Sequence, residues 1–420
     1  MIKVIQERVV CTLKRKRFIT GVSIYTEDGW IENGYIEMNG GEIGGLGRME
    51  ESPAVSPEWE RLDLSGKGLK AIPGFIDLHI HGAGGADVMD ATEEAIDRIA
   101  GTLPREGTTS FLATTITEAP ERIERAVMNI GRYVEKGKRV VGKDEGEMEG
   151  GRAEILGIHL EGPFLSRKHA GAQPVESILP GDLALFQHWQ EISGHLIRLV
   201  TLAPEEEGVL SLIRYLHETG VISSIGHTDA TLEQVRRGVE AGATHVTHLF
   251  NAMRGMHHRE PGTAGAALLM NQLMVELIAD GIHVHPEVIA LTYRMKGKEG
   301  ITLITDAMRA KCLGNGKYEL GGQEVFVADG KATLADGTLA GSVLTMDKGV
   351  RNMMRFSGCT LEEAIRMASY NPAKELHLLH RKGSLAVGKD ADILLLNEKN
   401  ELVFTFCRGR LAYSLSSVVR

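Results

Sequence analysis

Two rhythms of apolar residues divide the chain. Over roughly the first seventy residues, short runs such as Val22–Tyr25, Ile31–Met38 and Glu42–Leu46 are separated by Gly, Asn and Asp. Such punctuation marks strands joined by tight turns. The tail returns to the same style, with apolar runs at Asp390–Leu395 and Glu401–Cys407 ahead of Arg408-Gly409-Arg410. Between the two ends, short β-branched runs alternate with longer stretches of helical period. The runs are Ala71–Ile80, Thr108–Thr115, Ile155–Glu161, Ile197–Leu202, Gly220–Gly226, His245–Leu249, Val275–Ala279 and Ile301–Asp306. Helical patterns cover Thr92–Leu103, Ala119–Glu135, Glu205–Glu218 and Leu232–Ala241.

Eight strand–helix units predict an α/β fold, a closed (β/α)8 TIM-like barrel rather than an open doubly wound sheet. No G-x-G-x-x-G follows the first run, which removes the main support for a dinucleotide-binding alternative. Both termini are expected to pair into one small β-sandwich domain. The expected division is residues 1–70 and 376–420 for that domain and 71–375 for the barrel. The stretch Glu135–Arg152, rich in Lys, Glu and Gly, reads as a solvated insertion.

Composition narrows the function classes. A chain of 420 residues suits one large catalytic domain with a smaller accessory layer. An aromatic content of 5% and a formal charge of −9 argue against a nucleic-acid surface. They leave room for one small anion held by an arginine or a helix N-terminus. No segment is apolar for long enough to span a bilayer, and Met1–Phe18, broken by Lys3, Glu7, Arg8 and Lys14–Arg17, lacks a signal-peptide core. Cys11, Cys312, Cys359 and Cys407 are far apart and read as reduced thiols, so a cytoplasmic protein is expected.

In such a barrel the chemistry sits at the C-terminal ends of the strands. The first run ends in Asp77-Leu78-His79-Ile80-His81, and residues two apart on a strand face the same side. His79 and His81 can therefore bind one metal together, although the pair alone reads equally well as two hydrogen-bonded barrel histidines. The third run ends in Glu161, a carboxylate that is costly to bury unless paired or metal-bound. Its two oxygens could serve two cations, while His159, one pleat deeper, reads as a supporting residue. His227 and His248, at the ends of the fifth and sixth runs, are the natural further ligands. His245 is expected to face away from His248 as a structural histidine. His283 could polarise a substrate carbonyl or hold a hydroxyl, and His285 reads as a loop residue. Asp306, closing the eighth run, would act as general base and then return the proton to a leaving amine. Each residue could be structural alone; on successive strand ends, a metal site accounts for them better.

The segments PGFIDLHIHG, HLEGPFL, GHTDA, THLFNAM, ADGIHVHP and ITDAM follow in this order along nearly the whole chain. They resemble the amidohydrolase superfamily and, within it, the N-acetylglucosamine-6-phosphate deacetylases. PGFIDLHIHG marks only the superfamily, whereas HLEGPF with THLFNAM and REPG is more specific. The closing NPAK and GSLAVGKDADILLLN resemble the flanking β-domain of that family. The resemblance implies hydrolysis of N-acetylglucosamine 6-phosphate to glucosamine 6-phosphate and acetate, in amino-sugar catabolism or recycling.

It also implies Glu161, His227 and His248 as metal ligands. His79 and His81 match a second metal position where some members carry Gln and Asn. One or two divalent cations follow, Zn2+ or Fe2+ first, with Co2+ or Mn2+ also accepted. Asp306 matches the acid/base, and His283 the group near the scissile amide. Substrate contacts fall on Ala172, Asn251, Ala252, Arg259, Leu339, Ala340 and Gly341, with Arg259 as the phosphate anchor. Gln173 departs from members that have His there. A homodimer is implied as well. The alternatives are an N-acetylgalactosamine-6-phosphate deacetylase, which shares much of the motif set, or an amidohydrolase acting on a cyclic amide or amino base. Dihydroorotases and hydantoinases commonly place a lysine at the end of the fourth strand, where this chain has Thr201-Leu202-Ala203-Pro204. A non-catalytic scaffold would be expected to have lost Asp306 or a ligand, and none is missing.

Overall fold

The structure, a computed structural model, describes residues 16–140 and 151–415. Eight parallel strands run in consecutive spatial order: Phe75–Ile80, Thr108–Thr115, Glu154–Glu161, Ile197–Leu202, Ile222–Ile225, His245–Val246, Met274–Ile278 and Ile301–Ile304. The ring closes where Ile80 bridges Ala307. There Asp306 donates its main-chain N–H to the His79 carbonyl at 2.8 Å, and His81 donates to the Ala307 carbonyl at 2.9 Å. Helices pack outside, among them Glu93–Thr102, Val209–Glu218 and Leu232–Ala241. Their starts are set by side-chain caps: Thr92 accepts from the Ala95 N–H, and Thr231 forms a reciprocal pair with Gln234.

Two strands differ from the expected pattern. The run Ala71–Ile80 is not one strand. It breaks at Gly74, and Lys70–Pro73 pairs with Ile393–Leu396 in the terminal sheet while Phe75 onward enters the barrel. The break needs glycine, since a Cβ there would sit 2.1 Å from Thr109 Oγ1. Within the barrel part, pairing with the second strand slips by one residue between Asp77 and Ile80. This bulge lets Ile76 and Leu78 join the small apolar cluster with Leu112, Leu199, Ile278 and Ile304, while His79 and His81 reach the opposite end. The sixth strand stops at Val246 rather than Leu249, because His248 adopts φ 30°, incompatible with a continuing strand.

The two ends of the chain share one eight-stranded sheet. The sheet curls until Glu42, on one edge strand, bridges Asp390 just ahead of Ile393–Leu396. It thereby encloses its own core of Ile19, Ile24, Ile36, Met38, Ile393, Leu395 and Phe406. Lys382, almost fully buried, ties this layer to the barrel: its Nζ lies 2.6 Å from Asp392, 2.8 Å from Asp390 and 2.8 Å from Glu154 at the start of the third barrel strand. A three-stranded antiparallel unit, Gly316–Leu320, Gln323–Ala328 and Lys331–Thr333, was not anticipated. It follows the eighth strand and leans over the barrel mouth, where Gln323 Nε2 donates to the Ala172 carbonyl at 2.7 Å. The expected insertion is helical at its start, since one helix spans Pro120–Val140; residues 141–150 lie outside the described part, as do Cys11, Lys14 and Arg15.

Candidate metal centre and active site

Six of the strand-end residues, His79, His81, Glu161, His227, His248 and Asp306, converge at the C-terminal mouth of the barrel, with the contacts divided as follows. Glu161 occupies the middle. Its Oε1 stands 3.2 Å from Nε2 of both His227 and His248 and 3.4 Å from His79 Nε2. Its Oε2 stands 3.3 Å from His81 Nε2 and accepts from Gln173 Nε2 at 2.7 Å. Asp306 Oδ1 faces His79 Nε2 at 3.4 Å and His81 Nε2 at 3.3 Å. Two donor triplets result, Glu161–His227–His248 and His79–His81–Asp306, each with its donor atoms within 4.8 Å of one another. Glu161 faces both.

These residues fit a divalent cation. The His227 and His248 Nε2 atoms approach to 3.0 Å, and His79 Nε2, though fully buried, makes no hydrogen bond. Imidazole nitrogens and carboxylate oxygens converging in this way are the donor set of zinc, iron, cobalt or manganese centres. The electrostatics agree. Burial opposes ionisation of Glu161, yet His79, His227 and His248 hold its carboxyl well below the usual range; burial likewise opposes Asp306, whose carboxyl is kept low by His79 and His81. In turn burial works against protonating His79 and His81, but the facing carboxylates outweigh it and lift His81 to about 9. The two carboxylates thus call for positive charge beside them, which protonated imidazoles or divalent cations can supply.

Local backbone conformation aims these groups. His227, His248 and Asp306 have φ of 46°, 30° and 47°, a left-handed region that non-glycine residues seldom adopt. Strain of this kind collects at functional sites, where neighbours over-determine it. For Asp306 the neighbours are Ser342, whose N–H donates to the Asp306 carbonyl at 2.7 Å, and Gly341, where an added Cβ would meet that same oxygen at 3.1 Å. Gly341 and Ser342 are thus packed directly on Asp306.

The remaining expected residues are placed less uniformly. His283 donates its Nδ1–H to Asp280 Oδ2 at 2.7 Å, and Asp280, against the opposing effect of burial, raises the His283 pKa. Gly171 lies against Ala252 and His227, with a virtual Cβ 3.4 Å and 3.6 Å from their nearest atoms, so the loop carrying Ala172 meets the loop of Asn251 and Ala252 beside the centre. Asn251 Nδ2 donates to the His248 carbonyl at 3.2 Å. Arg259 is exposed, with its guanidinium 2.7 Å from the ring of His258, and no described contact links it to the central cluster. His159 is held by Thr201 Oγ1 and the Leu78 carbonyl; burial and the neighbouring His79 push its pKa down to about 3, which suits a neutral supporting ring. His285 caps the helix Pro286–Lys296.

Three contributors escaped sequence reasoning. Glu276 lies inside the seventh strand and accepts from His79 Nδ1 at 3.0 Å. Asp280 orients His283. Gln173, noted only as a departure, holds Glu161 while its Oε1 accepts from the Thr117 N–H at 2.8 Å. An acid within the otherwise apolar run Met274-Val275-Glu276-Leu277-Ile278 was the available signal, since a buried carboxylate requires a partner.

Comparison with known proteins agrees with this geometry. The family model described as the amidohydrolase family matches residues 71–412. An N-acetylglucosamine-6-phosphate deacetylase from Bacillus subtilis (strain 168) is 46% identical over 395 residues, covering 94% of this chain and 96% of that protein. An N-acetylgalactosamine-6-phosphate deacetylase from Escherichia coli is 38% identical over 389 residues, covering 93% and 97%. The structure of a mutant N-acetyl-D-glucosamine-6-phosphate deacetylase from Mycobacterium smegmatis, in complex with N-acetyl-D-glucosamine-6-phosphate, superposes with a TM-score of 0.85 at 32% identity, covering 95% of this chain and 100% of that one. The chain belongs to the amidohydrolase family, within its N-acetylglucosamine-6-phosphate deacetylase branch.

Proposed function

We infer that this protein hydrolyses the N-acetyl group of N-acetylglucosamine 6-phosphate, releasing glucosamine 6-phosphate and acetate. The observation that carries the reading is the joint presence of Glu161, His227, His248 and Asp306 in one cluster, in a chain 46% identical to such a deacetylase. Glu161, His227 and His248 would hold one divalent cation, zinc or iron by preference, and His79, His81 and Asp306 form a place for a second. A cation so held would supply Lewis acidity and lower the pKa of water toward neutrality. Asp306 takes the proton of the attacking water and returns it to the sugar nitrogen as acetate leaves. His283, its Nδ1 side fixed by Asp280, presents its other nitrogen as a donor for the developing oxyanion, a contribution of about 3–4 kcal/mol for a well-placed group. The Asn251–Ala252 and Leu339–Gly341 segments border the sugar. The reading extends to a cytoplasmic homodimer acting on one phosphorylated amino sugar. An N-acetylgalactosamine 6-phosphate preference is less favoured, because the relative named for that sugar is the less similar of the two.

Acetate release from both acetylated sugar phosphates tests the assignment. N-acetylglucosamine 6-phosphate should be the better substrate by kcat/KM. Turnover of neither sugar by metal-loaded protein would sink the reading. A second expectation concerns Arg259, the proposed phosphate anchor. Loss of a charged hydrogen bond of about 1.5–3 kcal/mol in Arg259→Ala should raise KM on the order of tenfold to a hundredfold with kcat little changed. An unchanged KM would place the phosphate elsewhere.

A further inference from the structure

Glu276 has no exposure and sits at the centre of an apolar strand, so its carboxylate must be satisfied from within. Its Oε2 accepts from His79 Nδ1 at 3.0 Å and from the main-chain N–H of His248 at 3.1 Å. Its Oε1 faces His245 Nε2 at 3.5 Å, and neither of these two atoms has a hydrogen bond. On the far side of the ring, His245 Nδ1 reaches Glu375 Oε2 at 3.1 Å. Glu375 closes the short helix Asn371–Glu375, and its side chain is 17% exposed. A carboxylate–imidazole–carboxylate chain therefore runs from the mouth of the barrel through its wall to the outer layer.

Each donor triplet has one imidazole fixed from behind, by a different kind of group. In one, His227 has its Nδ1 held by the neutral His169 carbonyl at 3.0 Å, while His248 Nδ1 makes no hydrogen bond. In the other triplet, His81 Nδ1 makes no hydrogen bond, so His79 is the only imidazole there with a fixed far nitrogen. A carboxylate on Nδ1 selects the tautomer whose Nε2 lone pair points at the centre, and it locks the ring plane. We propose that Glu276, His245 and Glu375 form a positioning chain behind His79 that makes the His79–His81–Asp306 position competent for a second cation, and so decides whether this protein carries one cation or two. The proposal rests on the metal reading above but not on the identity of the sugar.

The test is titration of Co2+ into chelator-stripped protein, followed by calorimetry and by the visible absorption of the bound ion. Wild type should take up two cations per chain. Glu276→Leu should weaken the second by about tenfold to a hundredfold, the range for losing an outer partner of a ligating histidine, and the first by a smaller factor, since the His248 N–H loses its acceptor as well. Glu276→Gln, which keeps an acceptor without the charge, should fall between. Glu375→Gln lies at the outer end, where substitution endangers folding least, and should weaken the second cation by a few-fold in the same order. A purely structural role would lower both affinities together. Parallel loss of both affinities, wild-type binding in Glu276→Leu and Glu375→Gln, or a single cation in wild type would each overturn the proposal. Because the readout is cation binding, an inactive wild type on either sugar would count against the proposed function alone.

Discussion

Asp306→Asn, loaded with as much metal as wild type, is expected to release acetate about 10³–10⁴-fold more slowly, the upper part of the range for removing a positioned general acid–base. The substitution is chosen to spare the architecture. Asn is among the residues that best tolerate the left-handed backbone found at this position, φ 47°. The main-chain bonds from Asp306 to His79 and from Ser342 to Asp306 do not involve the side chain. An amide oxygen can still face His79 and His81, but it cannot take a proton from water and hand it to an amine. Elemental analysis and steady-state rates on the same preparation decide the matter. A variant that keeps more than about a tenth of wild-type kcat would remove Asp306 from proton transfer.

Lys311→Met should cost about 3–5 kcal/mol of stability, the range for leaving a buried charge without its partner. Lys311 is fully buried, with Nζ 2.6 Å from Glu106 Oε1, 3.2 Å from Thr305 Oγ1 and 3.9 Å from Asp77 Oδ2. Burial pushes the Glu106 carboxyl up to about 7 from an ordinary 4.5, even with Lys311 beside it. A raised carboxyl contributes stability that is complete below its unfolded value and is lost as pH rises through the folded one. Without Lys311 that folded value climbs further. At pH 5 a protonated Glu106 needs no cation, whereas at pH 8 the variant must bury a bare carboxylate or keep a proton at some cost. Urea midpoints at the two pH values should show the larger deficit at pH 8. Equal deficits, or none, would mean that Lys311 is not what balances this acid. Because Thr305 also donates to Asp77 at 2.5 Å, the same cluster braces the strand ends that carry Asp306 and His79.

Much of this was legible in the residues. Thr108–Thr115, Ile197–Leu202 and Leu232–Ala241 lie where hydrophobic periodicity puts them, because each is packed on the face its pattern offers. The strand-end histidines were readable because chemistry placed on successive parallel strands recurs at a regular offset. Long-range partnerships were not. Glu276 looks like one polar residue in a core strand, and nothing near it in sequence names His79, almost two hundred residues earlier, or Glu375 at the far end of His245. His245 was correctly read as facing away from His248, yet it reaches back to Glu276 at 3.5 Å, because a two-residue strand leaves its side chain beside the next strand. The break at Gly74 was hidden for the same reason: the apolar run is continuous, and only the close approach of Thr109 shows that two sheets divide it.

The shared terminal sheet has a consequence for how the chain is made. Lys70–Pro73 waits for Ile393–Leu396, more than three hundred residues downstream. Its other side is covered by Arg17–Thr26, but at about 5–20 residues per second translation leaves this side bare for on the order of fifteen seconds to a minute. During that interval the eight barrel strands emerge in their spatial order, each beside its predecessor. The ring nevertheless cannot shut until residues 306 and 307 meet His79 and Ile80, the contact that also completes the metal cluster. An edge strand left bare for so long can pair with a neighbouring nascent chain. Overproduction from a fast promoter should therefore favour aggregates joined through residues 17–73, and slower synthesis should relieve them.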